Sequence, residues 1–166
     1  NLKTVIGYTT RPKRQGEKDG EEYFFVTSNE LDNLKKEGKV IECRNYNTAH
    51  GTWSYFTVDD GQIDLSQGNY IYIGTLESYK EMVRFYGENA VVPLYIEVET
   101  GERLWRAVKR EREQSSPKYA ELCRRFLADE EDFKDENIVN AGIQKRYHNV
   151  VLEECISEIV ETMKEL

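Results

Sequence analysis

Hydrophobic and polar positions change rhythm twice along this chain. "KTVIGY" (3–8) is a short apolar run that reads as a buried strand. "TTRPKRQGEKDGEE" has no apolar period, and Pro12, Gly16 and Gly20 punctuate it as a loop. "YFFV" is a strand. Thr27 or Ser28 can cap a short helix, "NELDNLKKEG", that Gly38 closes. "KVIECRNY" and "TWSYFTV" are strands joined by the turn "NTAHG". These four short aromatic elements, all within residues 23–67, predict a small lobe with its own sheet.

From residue 69 strands and helices alternate. "NYIYIG" is a β-prone run. "LESYKEMVRFYG" puts Leu76, Tyr79, Met82 or Val83, and Tyr86 on one helical face, with Gly87 as the stop. "AVVPLYIEV" is a buried strand made irregular by Pro93. "GERLWRAVKRERE" is a helix with Leu104 and Val108 inward, and Pro117 starts another, "PKYAELCRRFLADEE". "RYHNVVL" is a late strand. Leu152, Cys155 or Ile156, Ile159 or Val160, and Met163 mark a terminal amphipathic helix. This alternation predicts right-handed βαβ units around a parallel sheet. The expected architecture is an α/β core with a small mixed lobe and a basic helical segment.

Composition narrows the function classes. The 166 residues suit one domain, and their formal net charge of −8 argues against broad nucleic-acid binding. No apolar run approaches the ~20 residues that span a bilayer. Cys43, Cys123 and Cys155 form no CxxC pair, against a disulfide framework or zinc site and consistent with a reducing cytoplasm.

The cations are concentrated in two places. Residues 1–20 carry five basic side chains against two acids, and residues 103–125 carry eight against three. In the first, Arg11 and Arg14 flank Pro12 closely enough for two guanidinium forks to converge on one phosphate or carboxylate. Tyr23 can add a hydroxyl. The plainer alternative is an exposed charged loop. Glu42 follows two apolar residues and precedes Cys43, so it either sits at a lobe floor needing donors or lies on the wet face of a strand. Guanine offers two adjacent donors, which one carboxylate can accept together, and adenine does not. His50 suits a phosphate or backbone contact better than general-base work, having no Ser or Cys partner. His148 is structural. In the second region Arg106, Lys109, Arg110 and Arg112 lie on one helix, and Arg124 and Arg125 on the next. Such a pair of helices suits a polyphosphate whose charge is neutralised during transfer. The alternative is a solvated face paired to the acidic run at 129–136.

These stretches together resemble guanylate kinases and guanylate-kinase-like domains. "TTRPKRQGEKDGEEYFFV" is similar to the family's Thr-Thr-Arg-x-x-Arg-x-Gly-Glu-x-x-Gly-x-x-Tyr-x-Phe-Val from Thr9 to Val26, and the 28–37 helix, "VIE" and "HGT" follow in family order. The resemblance implies a P-loop kinase-type parallel core (1–22 and 68–166), an inserted nucleoside-monophosphate lobe (23–67) and a helical lid (about 106–130). It implies ATP with Mg²⁺ as phosphoryl donor and GMP or a related nucleoside monophosphate as acceptor. Arg11, Arg14 and Tyr23 would grip the monophosphate. Glu42 would read guanine, with the Thr52 hydroxyl near the base and His50 in the same turn. Arg110 or Arg112, with Arg124 or Arg125, would be the lid arginines that contact the transferred phosphate.

Several positions depart from the family. Gly7 replaces the serine ahead of the double threonine, and His50 replaces a tyrosine, one residue closer to Glu42. "YIGTLE" replaces an Asp-x-Asp, with Ile73 and Thr75 at the two acidic positions, and "VVLEE" stands for the usual Val-Asn-Asp. The sequence contains no GxxxxGK[ST], the loop whose amides and lysine cradle phosphates. The expectation is therefore a kinase fragment beginning after the phosphate-binding helix, lacking the P-loop strand, inactive alone and either marginal or prone to associate. The rival reading is a guanylate-kinase-like module that binds a phosphorylated ligand or peptide without catalysis. A third is an unrelated α/β protein.

Overall fold

A computed structural model describes residues 2–14, 16–48 and 51–165. In chain order the elements are β1 (Leu2–Thr4), β2 (Tyr8–Thr9), β3 (Phe24–Phe25), α1 (Ser28–Lys36), β4 (Val40–Thr48), β5 (Gly51–Val58), β6 (Asn69–Ile71), α2 (Leu76–Tyr86), β7 (Tyr95–Glu97), α3 (Thr100–Arg112), α4 (Tyr119–Asp132), α5 (Asp135–Asn140), β8 (Arg146–His148) and α6 (Leu152–Lys164). The chain divides into two compact units, Asn1–Val91 and Val92–Leu166, described separately below.

The N-terminal unit holds a four-stranded sheet ordered β3-β2-β5-β4. The long antiparallel pair β4–β5 dominates it, with Glu42 opposite Thr57, Arg44 opposite Tyr55 and Thr48 opposite Gly51. β2 pairs antiparallel with β5 and parallel with β3. The aromatic sheet thus includes Tyr8–Thr9 from the opening segment as well as the strands after residue 22.

Alternation along β5 sorts its side chains between two faces. Phe56 and Val58 are 1% and 4% exposed and join Leu31 of α1 in a core, with Tyr8, Val26, Leu34, Val40 and Cys43 against it. Each large side chain buried there stabilises the lobe by about 1.5–3 kcal/mol. Tyr55 and Thr57 point to the other face, where the polar chemistry lies. Helix α1 has the expected start: Thr27 caps it in a capping box with Glu30.

β1 and β6 form a separate two-stranded parallel sheet. β1 is exposed throughout, with Leu2 at 45%, so the expectation of a buried strand at "KTVIGY" is corrected. Among the described residues it is bonded along one edge, to β6, and Val5 just after it is buried. Helix α2 buries Leu76 and Met82 on its predicted face, and Gly87 follows it.

The C-terminal unit carries the parallel pair β7–β8 and helices α3 to α6. Ile138, Tyr147, Cys155, Leu122 and Ile143 are its most buried apolar residues. The strand expected over "AVVPLYIEV" contracts to Tyr95–Glu97, because Pro93 has no N–H for a ladder. Leu104 is exposed rather than inward, and α3 has no buried residue. α3 is instead tied to α4 by Arg103, which bonds Glu130 and lies over the Phe126 ring. On α6 only Cys155 of the predicted stripe is buried; Leu152, Ile156 and Val160 are exposed. The short helix α5 carries no clear apolar period and was not expected.

Candidate functional site

The opening loop folds back on itself through Glu17. The Arg11 guanidinium donates to both Glu17 carboxylate oxygens, at 2.9 and 2.8 Å, and to the Pro12 carbonyl at 2.9 Å. The Arg14 amide donates to the same carboxylate at 2.7 Å, while the Arg14 side chain is exposed. The hydrogen bond from Arg11 holds the Glu17 carboxyl below the usual carboxylate range, against a smaller opposing effect of burial. Arg11 is nearly buried and lies over the rings of Tyr23 and Phe25, at 5.8 and 5.4 Å. Its Nε is buried without a hydrogen-bond partner among the described residues. Gly20 makes this return possible: its φ of +78° suits glycine, and its amide donates to the Tyr23 carbonyl at 2.9 Å. The loop therefore brings Arg11 and Tyr23 together and leaves Arg14 reaching outward.

Glu42 lies on the open face of the lobe sheet, but it is not open to solvent. Its side chain is 1% exposed. Oε1 accepts from Thr57 Oγ1 at 2.8 Å, Tyr72 Oη at 3.0 Å and Arg44 Nη2 at 3.3 Å. Oε2 accepts from Arg44 Nε at 2.9 Å. The cause is strand periodicity. Residues 42 and 44 share a face, so the two side chains meet, and Thr57 faces Glu42 from the neighbouring strand. Burial pushes the Tyr72 hydroxyl up, and the neighbouring Glu42 charge adds to this.

Thr75 is the N-cap of α2, accepting from the Ser78 amide, and its Oγ1 lies 3.4 Å from Arg44 Nη1. The structure thus joins Thr75 to Glu42 through Arg44. Thr52 is elsewhere. It is exposed, bonds Asn47 and sits five residues along β5 from Thr57, about 16 Å at strand spacing and on the opposite face. The register thus separates Thr52, expected near the base, from Glu42, and puts Thr57 beside the carboxylate. His50 lies outside the described residues. Tyr55 connects the two clusters: it is opposite Arg44 and meets Tyr23 edge-on at 5.6 Å.

Arg44, Thr57, Tyr72 and Glu17 escaped the sequence reading. Arg44 had a signal, an acid and an arginine two apart within a strand, and Glu17 lies inside the quoted motif. Thr57 and Tyr72 had none, because their approach depends on hairpin register and on the path after β6. An open cleft of about 370 Å³ between α1, β4 and α2 is lined by Lys35, Glu77, Glu81 and residues 40–43. Its acids outnumber its single lysine, which does not suit a phosphate.

The four lid candidates are in the C-terminal unit. Arg110 and Arg112 are exposed near the end of α3, and neither forms an ion pair among the described residues. Arg124 and Arg125 are exposed on α4 and share Glu121, at 2.8 and 3.7 Å. Among the described residues no three His, Cys, Asp or Glu side chains converge as a metal site. No helix there is long and apolar enough to cross a membrane.

Residues 1–61 match the guanylate kinase family model. A guanylate kinase from Oceanobacillus iheyensis is 38% identical over 66 residues, covering 37% of this chain and 32% of that protein. One from Streptococcus agalactiae is 49% identical over 41 residues, covering 25% and 20%. The chain thus spans about a third or less of the length of the curated relatives it matches. In structure, guanylate kinase from Anaplasma phagocytophilum superposes with a TM-score of 0.63 at 18% identity, covering 99% of this chain and 75% of that one. Residues 1–61 are thus similar in sequence to guanylate kinases, and over nearly its whole length the chain shares the α/β fold of one.

Proposed function

We propose that this chain supplies the acceptor lobe and lid of a guanylate-kinase-type phosphotransferase, which moves the γ-phosphoryl group of ATP to GMP or a related nucleoside monophosphate. The observation that carries this reading is the opening loop. Its motif lies inside the matched segment and folds Arg11, Tyr23 and Glu17 around one point.

The chain's own residues divide the work. Arg11 is oriented by Glu17 and places its charge beside the acceptor phosphate. Arg14 reaches outward for the same group, and Tyr23 stacks beneath. Glu42 reads the base, with Thr57 and Tyr72 fixing its carboxylate. Arg110 or Arg112, with Arg124 or Arg125, neutralise charge on the transferred group, chemistry that needs position and electrostatics rather than a protein nucleophile. The described residues contain no metal cluster, and the chain contains no GxxxxGK[ST], so these residues do not account for holding ATP or Mg²⁺. We place the reaction in the cytoplasm, in keeping with three free cysteines.

Calorimetric titration of the full-length protein with GMP, dGMP, AMP and UMP tests the reading. Guanine nucleotides are expected to bind tightest, and AMP binding as tightly as GMP would remove Glu42 as a guanine reader. The second reading, a binding module without catalysis, is favoured by Ile73 and Thr75 in place of the acidic pair. Absence of GDP formation from GMP and ATP, with GMP binding retained, would select it.

A further inference from the structure

Glu42 already meets a donor pair of the kind a base would bring, and its Oε1 is crowded with three donors while Oε2 takes one. Four protein donors point at its carboxylate, two hydroxyls and two guanidinium N–H groups, and both oxygens are engaged by Arg44. A guanine ring reads a carboxylate through N1–H and the exocyclic amino group, two donors on neighbouring nitrogens of one N–C–N unit. Arg44 presents Nε–H and Nη2–H, two donors on neighbouring nitrogens of the same kind of unit, one to each Glu42 oxygen at 2.9 and 3.3 Å.

We propose that Arg44 is an internal stand-in for the guanine edge, competing with the nucleotide for Glu42 and setting the affinity of the acceptor site. This rests on the reading of Glu42 as the base-recognising carboxylate. Thr57 and Tyr72 need not move, because they approach only Oε1 and the base can replace Arg44 alone. Arg44 has somewhere to go. Its side chain is 14% exposed against 1% for Glu42, and its Nη1 already lies 3.4 Å from Thr75 at the start of α2. On closure of the base onto Glu42, Arg44 retains the Thr75 hydroxyl as an acceptor and gains solvent.

The competition also bears on selectivity. A ligand must replace a bidentate, charge-assisted contact. Guanine brings two donors and does so. Adenine presents no such donor pair, and leaves Arg44 in place. Arg44 thereby lowers the affinity for guanine and leaves that for adenine unchanged, so its removal widens the margin between the two bases.

The test compares the full-length protein with Arg44→Ala and Arg44→Lys variants by calorimetric titration with GMP and AMP. Arg44→Ala is expected to tighten GMP by about tenfold or more, the scale of one exchanged charge-assisted hydrogen bond, and to leave AMP little changed. Methylguanidinium added to Arg44→Ala is expected to refill the vacated place and weaken GMP competitively. A purely structural Arg44 would not produce that competition. Arg44→Lys keeps the charge and loses the planar fork; it guards against misfolding of the alanine variant and is expected to shift GMP severalfold in the same direction. If the wild type binds GMP and neither variant binds it more tightly, the competition is refuted and the acceptor reading stands. If no form prefers GMP over AMP, guanine reading by Glu42 fails, and the competition fails with it.

Discussion

Replacing Glu42 by Gln changes one oxygen to an amide nitrogen in a site with almost no solvent. The side chain is 1% exposed and accepts from Arg44, Thr57 and Tyr72. Whichever way the amide is turned, it keeps one acceptor and aims N–H groups at former donors. If the oxygen stays with the hydroxyls, the amide nitrogen faces Arg44 Nε, donor against donor. If it stays with Arg44, the two hydroxyls must rotate to accept. Removing one member of a buried ion pair typically costs about 3–5 kcal/mol. Arg44 retains some solvent contact, and the amide preserves part of the network, which lowers the expectation to about 2–4 kcal/mol. For a chain of this length that corresponds to roughly 5–15 °C in melting temperature. The chain has two tryptophans, Trp53 in β5 and Trp105 in α3. In a Trp105→Phe background fluorescence reports the lobe alone, and urea unfolding gives the midpoint and slope separately. A lower midpoint at unchanged slope is expected. A loss below about 1 kcal/mol, the scale of an ordinary surface ion pair, would show that Glu42 is not held as described.

Three further predictions probe the rest of the molecule. Gly74→Ala puts a Cβ 2.3 Å from Ser78 Oγ and 2.7 Å from the Tyr72 ring. Tyr72 must then shift off Glu42, with a loss of about 1–3 kcal/mol and weaker GMP binding, whereas unchanged stability and affinity would place the ring elsewhere. Glu17 is held below its ordinary value of 4.5, so its contribution is complete above that pH and fades as pH falls through the lower folded-state value. The stability gap between wild type and Glu17→Gln should accordingly be constant near neutrality and close in acid; a gap that widens in acid has the wrong sign. On the proposed lid reading, alanine at one of Arg110, Arg112, Arg124 and Arg125 in the full-length protein should lower kcat on the order of 10³-fold, with little change in the KM for GMP. Four alanine variants with unaltered kcat would remove the lid assignment.

Much of the local structure was legible because it is a local matter. Thr27 and Glu30 announce a capping box three residues apart. Leu76 and Met82 lie on one helical stripe, and both are buried. The strand over "AVVPLYIEV" was overdrawn because a single sequence shows where apolar residues are but not how far a ladder extends past Pro93. Leu104 and the α6 stripe were placed inward by period alone. Period fixes which residues share a face, not whether anything covers it.

The site divides along the same line. The sequence by itself determined the opening motif, the alternation that puts Glu42 and Arg44 on one side of a strand, and the two clusters of cations. Each follows from spacing within one stretch of backbone. Only the tertiary structure decided who meets whom across stretches. It gave Glu42 to Thr57 rather than Thr52, since hairpin register selects one partner out of a strand. It brought Tyr72 in from thirty residues away. It also filled the carboxylate with donors from the protein, because a buried charge must be matched before any ligand arrives.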